Sequence, residues 1–284
     1  MALYDRILLA TDLSARSDRA LDRAMMLATK HNAELVVLHV LEPVPGNRYY
    51  PRKHALPILA GWVRDQLRHD LGDCAETAQI RVEEGDPAEI IDRVAREIEA
   101  TLVVVGVARL ERLGRFTLGA TVERLVRAVE VPLLIVTTRP RKPYTRIAVA
   151  VDLSPVSTQT IELMTSTYPD QRITAFHAFQ PLTYGSSDLK LAAEQWKTVA
   201  ESNVKEWLAN TPLSEDVRDR VILQVEHGDP PQLIRDTASH GNFDLVVIGT
   251  RGRGRIFEFF VGSIAKEILA ELPCDALFVR EAKV

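Results

Sequence analysis

Only two cysteines occur in the 284 residues, Cys74 and Cys274, and they stand 200 positions apart. No CxxC or other metal-ligand spacing can be built from them. A disulfide framework and a cysteine-based zinc site are excluded, and a reduced, cytoplasmic setting is the expectation. Long apolar runs are missing too: none approaches the ~18 residues of a membrane-crossing helix, so no membrane partner is expected. The opening MALYDRILLATD has an acidic residue ahead of a very short apolar run, with no basic leader and no small-residue cleavage site. No secretory signal is read there. A large excess of charge is also lacking. Lys and Arg number 35 against 39 Asp and Glu, a net of −4, whereas a dedicated nucleic-acid binder is ordinarily basic. Glycines (14) and prolines (15) are too few for a collagen-like or disordered chain, and 46% apolar with 26% charged residues is an ordinary globular composition. At roughly 150 residues per domain, the length suggests two domains.

The chain is written twice. RILLATD at 6–12, followed by LSARS, returns as RIAVAVD at 146–152, followed by LSPVS, which sets Asp12 and Asp152 140 positions apart. His39 in VLHVLEP answers His177 in AFHAFQP, at an offset of 138. Gly85-Asp86-Pro87 answers Gly228-Asp229-Pro230, LVVVG ending at Gly106 answers LVVIG ending at Gly249, and Gly119 answers Gly262, all at 143. VPLLIV from Val131 answers LPCDALFV from Leu272. Six landmarks in one order define two homologous domains, 1–140 and 144–284. The joint, Arg139-Pro140-Arg141-Lys142-Pro143, reads as a stiff, exposed linker.

Each copy alternates strand-like and helix-like text. In the first, apolar runs at 6–10, 34–40, 79–82, 101–105 and 133–137 read as strands, and helical spacing appears at 17–31, 56–76, from Pro87 onward, and at 122–129. The second copy repeats the order as strands 146–151, 172–179, 220–225, 244–248 and 276–280, with helices 156–167, 188–209, 231–240 and 263–271. Strands separated by helices imply parallel pairing through right-handed crossovers. The predicted fold class is α/β, two tandem doubly wound five-stranded parallel-sheet domains. Such sheets bind ligands beyond the carboxyl ends of the strands, where strand order reverses. Asp12 or Asp152 ends the first strand of each copy, and Gly106 or Gly249 ends the fourth.

The fourth strand of the second copy runs into GTRGRGRIFEFFVGSIAKEIL. Gly249 and Gly252 lack a Cβ, so the backbone there can approach a ligand or take positive φ. The free N–H groups at 262–264 open a helix, whose dipole favours anions. Ser263 adds a hydroxyl, and Arg251, Arg253 and Arg255 add positive charge. The chemistry is that of a phosphate site. A glycine-rich surface loop with a helix cap is the plainer alternative, because short glycine patterns are common.

Gly249-x2-Gly252-x9-Gly262-Ser263, with the strand ending at Asp152, Ser154 after it and the closing PCDALFVR from Pro273, resembles the ATP-binding signature of the universal stress protein family. The resemblance covers nearly the whole chain, twice. It implies the adenine nucleotide α-hydrolase-like fold and ATP, with Mg2+ or Mn2+, in the second domain. By that resemblance Asp152 bonds the ribose or adenine side, Ala150 lies beside the base and Ala178 offers backbone contacts to the adenine. Gly249, Thr250, Arg251, Gly252, Gly262, Ser263 and Ile264 surround the triphosphate. Members commonly pair through their final strands, so residues 133–137 are expected to face 276–280 across a pseudo-two-fold axis within the chain. Association of two such chains into a homodimer stays open.

The matching segment of the first copy, GVARLERLGRFTLGATVERL, keeps Gly106 and Gly119 but has Arg109 in place of the second glycine and Ala120 in place of the serine. ATP binding is expected to be weak or absent there. The first domain is then a structural partner, or it holds another anionic ligand through Arg109, Arg112 and Arg115.

Elsewhere, His39 and His177 read as structural groups at strand ends, since no ligand spacing surrounds them. His54 and His69 flank the variable 42–76 segment as a weak metal candidate. Cys274 reads as a small buried hydrophobe. Asp86 and Asp229 read as helix N-caps. The helix 188–209, with Leu191, Trp196, Val199, Val204 and Trp207, reads as an amphipathic face on its own sheet. No GxxxxGK[ST], SGGxDS-like segment, GxSxG elbow or acid–base pair is found. Three functions compete. One is an ATP-binding stress regulator or sensor, whose 250–262 segment is held in one state by ATP and read by an unidentified protein partner. The others are a slow ATPase and a nucleotide-free scaffold.

Overall fold

The computed structural model describes residues 3–15, 17–42, 52–107, 119–180, 189–240, 243–250 and 272–280. The chain divides into two units, Met1–Pro143 and Tyr144–Val284. The first runs β1 (Arg6–Thr11), α1 (Asp18–His31), β2 (Glu34–Leu41), α2 (Arg52–Leu71), β3 (Gln79–Glu84), α3 (Pro87–Glu97), β4 (Leu102–Gly106), α4 (Ala120–Ala128), β5 (Leu133–Val136). The second runs β6 (Ile147–Ala150), α5 (Pro155–Thr167), β7 (Ile173–Phe179), α6 (Leu189–Ala209), α7 (Glu215–Arg218), β8 (Val221–His227), α8 (Pro230–Ser239), β9 (Leu245–Gly249), β10 (Asp275–Val279).

Within each unit every strand pair is parallel. The orders are β3-β2-β1-β4-β5 and β8-β7-β6-β9-β10. The central strands are buried on both faces, which is why they read as unbroken apolar runs: Leu8, Val36 and Val103 stand in one register and are fully buried. The outer strand β3 (QIRVEE) is only half-buried and carries charge, which guards an open edge.

The Gly-Asp-Pro triplets make matching strand-to-helix corners. Gly85 and Gly228 take φ of +152° and +146°, where an L side chain is strained, and a Cβ would crowd Ile90 or Leu233. Asp86 accepts from Glu89 N at 3.1 Å and Asp229 from Gln232 N at 3.4 Å. Each aspartate is an N-cap followed by proline at the first helical position, as expected.

Three expectations change in detail. The helix expected over 56–76 ends at Leu71, because Gly72 turns to φ +52° and opens a 3-10 turn, Gly72–Glu76. The four-residue α7 was not foreseen, since one turn is too short to show periodicity. The amphipathic face of α6 only partly covers its sheet. Ala200, Val204 and Trp207 pack with Val225, Leu153 and Phe179, and Trp207 Nε1 donates to Thr158 at 3.1 Å. Trp196 and Val199, however, are 41% and 48% exposed. A helix of 21 residues is ~31 Å long, and it outruns strands of five to seven residues. The side chain of Leu191 lies outside the described residues. The joint at 139–143 is exposed coil, held by Arg23, whose guanidinium donates to Lys142 O at 3.1 Å.

Candidate functional site

Strand order reverses between β1 and β4 and again between β6 and β9, so each unit has a switch point where the crevice beyond the strand tips opens. The residue after β1 is Asp12, and two residues after Ala150, the end of β6, comes Asp152. Both aspartates build the same turn. Leu13 and Leu153 follow with φ of +59° and +63°, a strained region for leucine. The carboxylates hold the turn closed. Asp12 Oδ1 accepts from Ser14 N (2.9 Å), Ser14 Oγ (2.6 Å) and Ser17 Oγ (2.5 Å). Asp152 Oδ1 accepts from Ser154 N (3.1 Å) and Ser157 Oγ (2.7 Å), and Ser157 Oγ in turn accepts from Asp152 N at 3.0 Å. Ser154 also caps α5 through Ser157 N. Partial burial works against ionisation of Asp12, but the serine hydrogen bonds outweigh it and hold its carboxyl below the usual range.

The second oxygens differ. Asp152 Oδ2 is buried and has no hydrogen-bond partner among the described residues, whereas Asp12 as a whole is exposed. A buried carboxylate oxygen without a donor is costly and unusual.

His39 and His177 sit beside these turns. Their Nδ1 atoms lie 2.9 Å from Thr11 O and 2.8 Å from Val151 O. A carbonyl only accepts, so each imidazole carries its proton on Nδ1 and ties the second strand to the tip of the first. That is the structural role the sequence suggested.

Ala150, Asp152 and Gly249 converge at the second switch point, where Ala150 registers with Ile248. Ala178 is buried on β7, two positions beyond Phe176, the partner of Ala150. Gly249 needs its missing Cβ for packing, and a positive φ is not the reason. It is absent from the positive-φ residues, and a Cβ there would meet Val156 Cγ1 at 2.7 Å and Thr160 Oγ1 at 3.5 Å. The glycine lets α5 lie close to β9. Thr250 is buried, and its N–H and hydroxyl both donate to Val279 O, at 2.8 and 3.3 Å. Arg251, Gly252, Arg253, Arg255, Gly262, Ser263 and Ile264, with the helix expected over 263–271, lie outside the described residues. So do Arg109, Arg112 and Arg115. Ser17, Ser157, Val156 and Thr160 were not singled out in the sequence. The repeated Asp-x4-Ser spacing of Asp12–Ser17 and Asp152–Ser157 was the available signal for the two serines.

The first unit has a pocket of about 170 Å3 at its switch point, lined by Thr11, Asp12, Leu38, Val105 and Gly106 among others. Gly119 is the N-cap of α4 and offers no side-chain cap. Cys274 is buried and its thiol is pushed up to about 12, first by desolvation and then by the charges of Asp275 and Asp244. It is no nucleophile at neutral pH. Among the described residues no cluster of His, Cys, Asp and Glu could hold a metal ion, and no helix is long and apolar enough to cross a membrane. His69 is exposed on α2, and the side chain of His54 lies outside the described residues.

Comparison with known proteins agrees with the duplicated architecture. The model of the universal stress protein family matches residues 3–137 and again 143–280. A universal stress protein of Thermus aquaticus is 32% identical over 111 residues, 38% of this chain and 77% of that protein. A Staphylococcus aureus protein named for the same family is 28% identical over 144 residues, 49% of this chain and 87% of its own. The crystal structure of a universal stress protein from Archaeoglobus fulgidus superposes with a TM-score of 0.67, covering 99% of both chains at 18% identity, a likeness of fold. With the family model matched once in each unit, the chain belongs to the universal stress protein family.

Proposed function

We propose that this chain is an ATP-binding stress-response regulator or sensor that holds one nucleotide, with Mg2+ or Mn2+, at the switch point of its second unit. The observation that carries the reading is Asp152 Oδ2, buried and, among the described residues, without a donor at the tip of the reversal. A ribose hydroxyl supplies the missing donor, and the oxygen accepts it without rearranging the turn, because Oδ1 already anchors Ser154 and Ser157. The signature Gly249-x2-Gly252-x9-Gly262-Ser263 supports the phosphate end. Gly249 contributes by setting the approach of α5 to β9. The first unit, with Arg109 and Ala120 at the corresponding positions, is not assigned a triphosphate. The reading is a binding switch. The nucleotide shifts the protein toward whichever state it binds more tightly, and a protein partner reads that state.

The test is to purify the chain without added nucleotide, denature it and identify released small molecules by mass spectrometry. ATP or ADP near one per chain is expected, lost in Gly252→Arg and depleted in Asp152→Asn. If none is released and titration with ATP and Mg2+ also fails, the protein is a nucleotide-free scaffold.

A further inference from the structure

Each unit ends in an open edge, β3 in the first and β8 in the second, and no described strand lies beyond either. Aligned through their glycine corners, Gln79, Arg81 and Glu83 of β3 answer Ile222, Gln224 and Glu226 of β8. In the first unit this face is tied down. Arg81 pairs with Glu97 at 2.9 Å, and Glu83 pairs with Arg93, both on α3. The second unit cannot repeat those pairs, because Gln224 is neutral and the counterparts of Glu97 and Arg93 are His240 and Asp236. Its helix α8 lies over the inner strands, where Ile234 and Thr237 line one small cavity with Ala148, Ala150 and Phe176. Ile222 on the outer strand is 43% exposed. The helices beside both edges also expose apolar groups, Trp62 on α2 and Trp196 on α6, so the strands themselves make the difference.

The backbone of β8 presents its outer groups in a regular row. Ile173 N donates to Arg220 O, Gly228 N donates to Phe179 O, and the parallel register between them is unbroken. This alternation turns the N–H and C=O groups of Ile222, Gln224 and Glu226 toward β7, and those of Val221, Leu223, Val225 and His227 outward. We infer that a second copy of this chain docks there, β8 against β8 in antiparallel array, about a two-fold axis through Gln224. Among symmetric registers, only this one gives every outward residue of β8 a partner in β8: Val221 meets His227 and Leu223 meets Val225, each pair exchanging both bonds. Side chains agree with it. Leu223 and Val225, which pack with α6, carry the apolar layer across the axis, Ile222 comes opposite Glu226, and Gln224 comes opposite its own copy, so no like charges are opposed. The same operation on β3 sets Arg81 against Arg81, which like charge opposes. One edge is guarded and the other is a docking strand. The inference does not rest on what the switch point holds.

The experiment is sedimentation velocity of the full chain over a wide range of concentration, with and without ATP and Mg2+. A monomer–dimer equilibrium with a midpoint on the order of tens of micromolar is expected, since strand pairing with little else makes an interface at the small end of the range. Gln224→Arg, which copies onto the axis the charge that β3 carries, is expected to weaken the dimer about fivefold or more with an unchanged thermal transition. Gln224→Thr, neutral and compatible with a strand, is expected to keep it. Disulfide trapping then reads the register. In a Cys74→Ser background, Gln224→Cys is expected to give a cross-linked dimer under mild oxidation, because residues in a non-hydrogen-bonded antiparallel pair lie ~4.5 Å apart at Cα, within reach of a disulfide. Ile222→Cys, which faces Glu226, is expected to give none. A chain that stays monomeric at every concentration overturns the inference. So does a dimer that Gln224→Arg leaves intact, or one trapped through Ile222→Cys and not through Gln224→Cys. Failure of ATP to bind would leave the concentration series unchanged, so the two readings fail separately.

Discussion

Asp12 and Asp152 stand at the same place in two copies of one turn, each followed by a leucine at positive φ and each closed by a serine five residues on. Around Asp12 a third donor, Ser14 Oγ, joins the other two on Oδ1, and the residue stands exposed. Around Asp152 the Ser154 hydroxyl turns instead to cap α5, and Oδ2 is left buried without a donor. The backbone is shared, and the two turns differ in one hydroxyl's direction and in the partnering of one carboxylate. The strand bases differ in the same way. In the first unit Thr101 Oγ1 accepts from Arg6 N and donates to Arg6 O. In the second, Asp244 takes four donors from Thr145 and Arg146, besides the ion pair.

The largest effect should come from Gly249→Ala. A Cβ 2.7 Å from Val156 Cγ1 forces α5 off β9, and a loss of about 1–3 kcal/mol is expected in urea unfolding. Val156→Ala in the same chain should restore part of it, a coupling that a double-mutant cycle reads. An unchanged unfolding midpoint would mean that the tip glycine is not held by packing.

Asp244→Ala should come next. Burial disfavours the charge of Asp244, but the bonds from Arg146 and Thr145 overcome this and bring its carboxyl to about 2, from an ordinary 3.8. A depressed carboxyl contributes stability that is complete above 3.8 and fades as pH falls toward about 2. Arg146 is half-exposed, so about 1–2 kcal/mol is expected after screening. Acid titration of stability between pH ~5 and ~2 should flatten in the variant. Thr101→Ala, its counterpart, should cost about 1 kcal/mol with no added pH dependence.

The smallest effect separates the two turns directly. Asp12→Asn should lose about 0.5–1 kcal/mol at neutral pH, because three donors prefer a charged acceptor. As with Asp244, that stability is present above the ordinary carboxyl value and fades below it. Asp152→Asn, measured without nucleotide, should lose less than Asp12→Asn, since two donors on Oδ1 are weakened instead of three and the oxygen replaced had no donor among the described residues. Equal losses in both would erase the distinction between the turns.

Much of this was legible in the sequence. The duplicated order of strands and helices came from apolar runs too long to be half-exposed, such as ILLA and LVVVG, and from proline after an aspartate cap. The caps at Asp86 and Asp229 and the structural histidines followed from residue type and position. What could not be read were relations across the fold. The packing role of Gly249 was hidden because its neighbour through space, Val156, lies 93 positions away. Burial of one Asp152 carboxylate oxygen depends on packing that the shared Asp-Leu-Ser-x-x-Ser text does not encode. The exposed Trp196 reflects a helix longer than its sheet, a length mismatch that helical periodicity does not encode.

The close approach of α5 to β9 changes how a glycine signature should be weighed. A glycine required by the helix packed against it is evidence of architecture, so Gly249 by itself says little about phosphate, and the later positions Gly252, Gly262 and Ser263 carry what the signature says of a ligand.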